Sequence, residues 1–191
     1  MITSKQNNTA IGNIRLFGNV RVMIISGLFI AMSIILGKFL QIPIGNSIRI
    51  SFENLPLIMA GIFYVQFVGG AVGVGADLIG CLLKGYAINP IITLGALCIG
   101  ALPGVISMLM TKKNQLLSMC LSAFAGHIIG SMLIKSIGLH IYYGTPFEVL
   151  IMRVPLYLAI GTLESMIIYM LLKNKAFSAQ LDKVCNYGNK L

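Results

Sequence analysis

Phe52–Met110 reads FENLPLIMAGIFYVQFVGGAVGVGADLIGCLLKGYAINPIITLGALCIGALPGVISMLM, and its charges are only Glu53, Asp77 and Lys84. A membrane-crossing helix takes about 20 apolar residues, so this run is too long for two crossings. Punctuation falls around Gln66–Gly70 and Gly85–Pro90, where Gly, Pro and polar side chains favour breaks. The run therefore divides into three helices: a short one near Glu53–Tyr64, one ending about Lys84, and one near Pro90–Met110 that Pro103 should kink.

Working outward, Val22–Ile42 is a further span interrupted only by Lys38, and the polar stretch PIGNSIRIS, Pro43–Ser51, is a loop. On the other side, Leu116–Leu139 makes a fifth span, HIYYGTP makes a turn, and Phe147–Leu172 makes a sixth. The expected fold is all-α: a six-helix transmembrane bundle in one membrane domain, residues 1–191. It comprises a leader (1–21), the bundle (22–172) and a tail (173–191).

Composition agrees. Of 191 residues, 57% are hydrophobic and 10% charged, with a mean hydropathy of +0.91, more apolar matter than one water-soluble core of this size can enclose. The first twenty residues are polar, without the apolar core of a cleaved signal peptide. The net charge of +9 lies mostly beside apolar runs, which indicates orientation by the positive-inside rule and no nucleic-acid partner. Arg15 and Arg21, Lys112 and Lys113, and Lys173 with Lys175 mark one side. An even number of crossings must separate these clusters, so the short helix crosses and both termini are cytoplasmic.

Small residues recur four apart at Gly27/Ala31, Gly69/Gly73, Ala76/Gly80, Ala96/Gly100/Gly104 and Gly126/Gly130. Such stripes let helices approach closely in lipid, mostly within one bundle. Cys81, Cys98, Cys120 and Cys185 lack metal or redox spacing and are assigned to packing. There is no GxxxxGK[ST], HExxH or GxSxG, so the chain is expected to be no enzyme, to hydrolyse no ATP and to carry no cofactor or metal.

The ionisable residues Lys38, Arg49, Glu53, Lys84, Lys135, Glu148 and Arg153 fall toward the outer surface as a cation-rich mouth. Charge beside hydrocarbon must face water or a partner, which points Arg49, Asp77 and Arg153 into the bundle. Each has more than one open role. Arg153 either snorkels, or pairs with Glu148, or binds a ligand; Arg49, beside Ser51, salt-bridges Glu53 or grips a ligand carboxylate with its forked donors. Asp77 pairs internally, as with His127, or is protonated, or accepts hydrogen bonds from a ligand. In KGYAINP, Tyr86 and Asn89 form either an interfacial anchor with a helix-entry turn or a contact for an aromatic ligand, and the same holds for Tyr157. His127 reads as a bundle residue, and Glu164 lies in the inner half of the last helix with its role open.

RISFENLPLIMAGIFY from Arg49, GAVGVGADLIGCLLKGYAINPIITLGA from Gly70, and RVPLY from Arg153 together resemble the folate-specific S-components of energy-coupling-factor (ECF) transporters. The resemblance spans roughly 22–172. It implies a six-helix bacterial plasma-membrane subunit that captures folate from outside and docks on a membrane scaffold driven by two cytosolic ATPases. It further implies a ligand site drawn from Arg49, Ser51, Asp77, Lys84, Tyr86, Asn89, Arg153 and Tyr157. Gly27 and Ala31 in SGLFIAM match the family's scaffold-docking motif, with Gly where Ala is usual. Three other readings are an S-component for riboflavin, pantothenate or a queuosine precursor, a stand-alone secondary carrier, and a membrane enzyme centred on Asp77, His127 and Glu164.

Overall fold

A computed structural model of the chain describes residues 20–44, 48–64, 66–110 and 115–175. Arg15, Lys112, Lys113 and Cys185 lie outside the described residues, as does the Arg49 side chain. Six helices are formed among those described. Helix α1 is Val20–Phe39, whose last turn, Ile35–Phe39, is wound as π-helix; α2 is Asn54–Phe63; α3 is Gln66–Lys84; α4 is Pro90–Leu109. Helix α5 starts at Gln115, takes a π-helical stretch over Gly126–Ile134 and continues to Tyr143; α6 is Phe147–Lys173.

Five of these are long and apolar enough to cross a membrane; α2, with 10 residues, is not. At 1.5 Å per residue α2 reaches about 15 Å, half the hydrocarbon core. It is also enclosed by protein, since Asn54 and every residue from Pro56 to Gly61 are buried. Helix α4 packs against α2, α3 and α5, while α6 closes on α5.

The loop expected after α1 is partly ordered as two strands, β1 (Ile42–Ile44) and β2 (Ile48–Ile50), paired antiparallel with Pro43 opposite Arg49. Pro43 is compatible because a two-stranded ribbon leaves outward edges on which its missing N–H costs nothing. The turn expected over HIYYGTP is shorter: His140–Tyr143 remain helical, and Gly144 ends α5 in the left-handed region (φ 61°), its N–H bonded to the His140 carbonyl. Glycine takes that conformation at no steric cost. Gly85 (φ 67°) ends α3 in the same way. Helix α4 begins where Asn89 Oδ1 accepts the Ile91 and Ile92 amides, with Pro90 just inside. That combination satisfies amides left free at a helix start.

The burial pattern is that of a lipid-solvated bundle. Val22, Ile58, Val68, Val72, Ile99 and Ile168 fill the core, while Leu28, Leu82, Leu109, Ile141 and Ile151 stand outward, each more than 60% exposed.

Candidate ligand cavity

All six helices contribute to a cavity of about 160 Å³. Ser33 and Lys38 enter from α1, Glu53 and Asn54 from the start of α2, and Asp77 from α3 beside Gly73 and Ala76. Helix α4 supplies Ile92 and Ala96, α5 supplies Lys135 and Leu139, and α6 supplies Arg153 and Tyr157.

The two π-helical windings bracket this site. Each adds a residue to a turn and so rotates the rest of its helix, a distortion common at functional positions. In α1 the winding contains Gly37, where a side chain would strike the Glu53 carboxylate, and Lys38, which lines the cavity. In α5 it ends at Ile134, immediately before Lys135, and Gly95 of α4 leaves the space that the Lys135 stem fills. Sequence and backbone thus make room for one anion and one cation from opposite walls. They meet: Lys135 Nζ lies 3.4 Å from Glu53 Oε1.

The other polar groups are held in turn. Thr93 donates to Asp77 Oδ2 at 2.7 Å, and Ser33 donates to the Glu53 carbonyl at 2.7 Å. Arg153 Nη2 donates to the Tyr157 hydroxyl at 3.0 Å, one turn along α6, and its Nη1 reaches Ser136 at 3.5 Å, the outer limit of a hydrogen bond. Three cations (Lys38, Lys135, Arg153) against two carboxylates (Glu53, Asp77) give the cavity a formal charge of +1.

Of the residues singled out from the sequence, the structure gathers Asp77, Arg153 and Tyr157 at this cavity. Ser51, Lys84, Tyr86 and Asn89 are not among its lining residues. Asn89 is buried, its Oδ1 engaged in helix capping and its Nδ2 without a hydrogen-bond partner, the Lys84 ammonium lies 4.7 Å from the Phe39 ring centroid, and the Lys38 ammonium sits 5.8 Å from that of Tyr86. Arg49 belongs to β2, with its side chain outside the described residues. Two pairings considered from sequence are replaced. Asp77 is bonded to Thr93 and not to His127, which instead meets Glu164 at 2.7 Å; Arg153 is bonded to Tyr157 and not to Glu148.

Reading the sequence missed Glu53 and Lys135 as a cavity pair, although it placed both at the outer mouth. The usable signal was Lys135 itself: α5 runs eight residues beyond it to Tyr143, so it is a lysine inside a span, which must face a partner or a wet interior.

Lipid-facing helices around an ionic cavity define an integral membrane protein with a polar interior. The family model described as "ECF transporter, substrate-specific component" matches residues 21–179. The chain belongs to that family. It is similar in fold to a solved structure described as "Crystal structure of FolT bound with folic acid", at 21% identity and a TM-score of 0.65, covering 78% of this chain and 90% of that one. A second, "Structure and mechanism of the S component of a bacterial ECF transporter", aligns at 15% identity and a TM-score of 0.60, covering 80% of this chain and 94% of the other. No curated protein matches.

Proposed function

We propose that this chain is a folate-binding S-component: it takes folate from the extracellular side and delivers it with a membrane scaffold subunit and two cytosolic ATPases. The observation that carries the reading is the charge pattern of the cavity. Carboxylates at the start of α2 and on α3 (Glu53, Asp77) stand among cations from α1, α5 and α6 (Lys38, Lys135, Arg153). Folate divides its chemistry the same way. Its pterin presents adjacent N–H donors suited to a carboxylate such as Asp77, and its glutamate tail presents carboxylates suited to a cation such as Arg153. Tyr157 offers an aromatic face on the same wall. Likeness in fold to a protein solved with folic acid supports the vitamin.

At about 160 Å³ the cavity is smaller than the roughly 300–1,000 Å³ typical of drug-sized ligands. Folate capture therefore includes a widening of the cavity. The whole chain acts as one membrane domain with six crossings and both termini cytoplasmic, α2 completing the count as a short helix buried in protein. The Gly27/Ala31 face of α1 docks on the scaffold.

The test is calorimetric titration of folate, riboflavin and thiamin into the detergent-purified chain. Folate alone should bind. Asp77→Asn and Arg153→Ala should each weaken binding about 10- to 100-fold, since a hydrogen bond to a charged group is worth about 1.5–3 kcal/mol. Unchanged affinity in both variants sinks the site assignment, and binding of another vitamin in place of folate sinks the ligand.

A further inference from the structure

The bundle holds a second polar centre, outside the cavity lining. His127 Nε2 of α5 and Glu164 Oε2 of α6 lie 2.7 Å apart, and both side chains are fully buried. Desolvating such a pair costs several kcal/mol, and apolar residues of similar size often stabilise a fold as well or better. Stability alone gives no reason for it.

Its neighbours do. The imidazole lies against the Tyr157 ring, centroids 5.6 Å apart. Tyr157 is a cavity wall, and its hydroxyl receives Arg153. Tyr157, Gly161 and Glu164 follow at spacings of four and three, one face of α6. Gly161 is the gap that admits the imidazole, for a methyl group there would lie 3.2 Å from His127 Cδ2. On the other side, the π-helical winding of α5 turns His127 and Ser131 inward, both fully buried, ahead of Lys135 in the cavity. The order of contact is Glu164 to His127, His127 to Tyr157, Tyr157 to Arg153.

We propose that His127 and Glu164 are positioning residues of the ligand cavity: the buried pair holds the imidazole behind Tyr157 and so fixes the Tyr157–Arg153 wall that receives an anionic group of the ligand. This rests on the reading of the cavity as the ligand site. Neither residue touches the ligand. Each acts through the ring in front of it.

The experiment labels the full chain with 3-fluorotyrosine and records ¹⁹F spectra in detergent without ligand, the Tyr157 signal being assigned by its loss in Tyr157→Phe. Glu164→Leu, altered two turns away from Tyr157, should shift or broaden that signal and leave those of Tyr86 and Tyr142 in place. Glu164→Gln, whose amide can either accept from or donate to the ring nitrogen, should keep it near the wild-type position. Folate affinity should change in parallel, at least tenfold weaker in Glu164→Leu and within about threefold of wild type in Glu164→Gln. A lowered melting temperature with the Tyr157 signal and folate affinity unchanged would overturn the proposal, leaving the pair merely structural. Should Glu164→Leu not fold, Glu164→Asp, one methylene shorter, is expected to displace the same signal, and no displacement counts equally against the idea. Failure of the wild-type chain to bind folate would strike the proposed ligand, while the ligand-free spectra would still decide this inference.

Discussion

Two seams of small residues with identical spacing meet opposite fates. Between α3 and α4, Gly69 and Gly100 approach so closely that a methyl group on either would run into the backbone of the other, and one at Gly73 would strike the Ala96 carbonyl. On α1, Gly27 has nothing within 4 Å of where a side chain would begin, and it is exposed together with Ala31 amid Met23, Ile24 and Leu28. Lipid offers helices no hydrophobic drive to associate, so close contact of smooth faces must supply it. The small-residue spacing therefore reports a smooth face without reporting who covers it. The first seam is covered within the chain and borders the cavity, since Gly73 and Ala96 line it. The second is left facing outward.

The largest expected effect breaks the first seam. Gly100→Val puts a branched side chain against the Gly69 carbonyl, where neither backbone can yield without parting α3 from α4. The cost should reach or exceed the roughly 3 kcal/mol at the upper end of ordinary overpacking. Size-exclusion chromatography in detergent should then show aggregate or loss of the monodisperse peak. A well-folded Gly100→Val chain would mean that the two helices are not in contact as described. A milder break is Gly73→Ala, whose methyl group pushes on the Ala96 carbonyl, one turn before Asp77. Costing about 1–3 kcal/mol, it should lower the melting temperature and weaken folate binding several-fold together, because the same displacement moves the Asp77 wall.

How legible this was in the sequence depends on range. Helices α3, α4 and α6 begin and end within a few residues of expectation, because apolar run length, Gly85, and the Asn89–Pro90 cap are local signals. The end of α5 was displaced because HIYY is polar and aromatic enough to read as a turn, yet its carbonyls still accept helical bonds up to Gly144. The π-helical windings at Ile35–Phe39 and Gly126–Ile134 left no trace in hydropathy, and they are what rotate Lys38 and His127 into place. Intramembrane charge pointed to Asp77 and Arg153, and both line the cavity. Their partners were another matter: Thr93 lies 16 residues from Asp77, and Glu53 lies 82 from Lys135. Such pairings depend on which helices touch, which no spacing along one helix reveals. The small-residue spacing of Gly27 and Ala31 was legible in the sequence; only the structure distinguishes their open face from the closed seam between α3 and α4.

The smallest expected effect on the isolated chain is also the sharpest form of the contrast. Gly27→Leu adds a large side chain to open space, and leucine is favoured over glycine in a helix by up to about 1 kcal/mol. The melting temperature of the purified chain should stay level or rise slightly, and folate affinity should not change, since Gly27 is not among the cavity-lining residues. If the α1 face is where the scaffold seats, the same substitution removes the close approach on which that contact depends. Uptake by the reconstituted transporter, and co-purification with the scaffold subunit, should then fall at least tenfold, and Ala31→Leu should do the same. A variant that folds, binds folate and still transports normally would show that lipid alone covers this face and that docking lies elsewhere. Loss of stability would show instead that Gly27 belongs to the same kind of closed seam as Gly100. Either result redraws the boundary between what the chain folds with and what it assembles with.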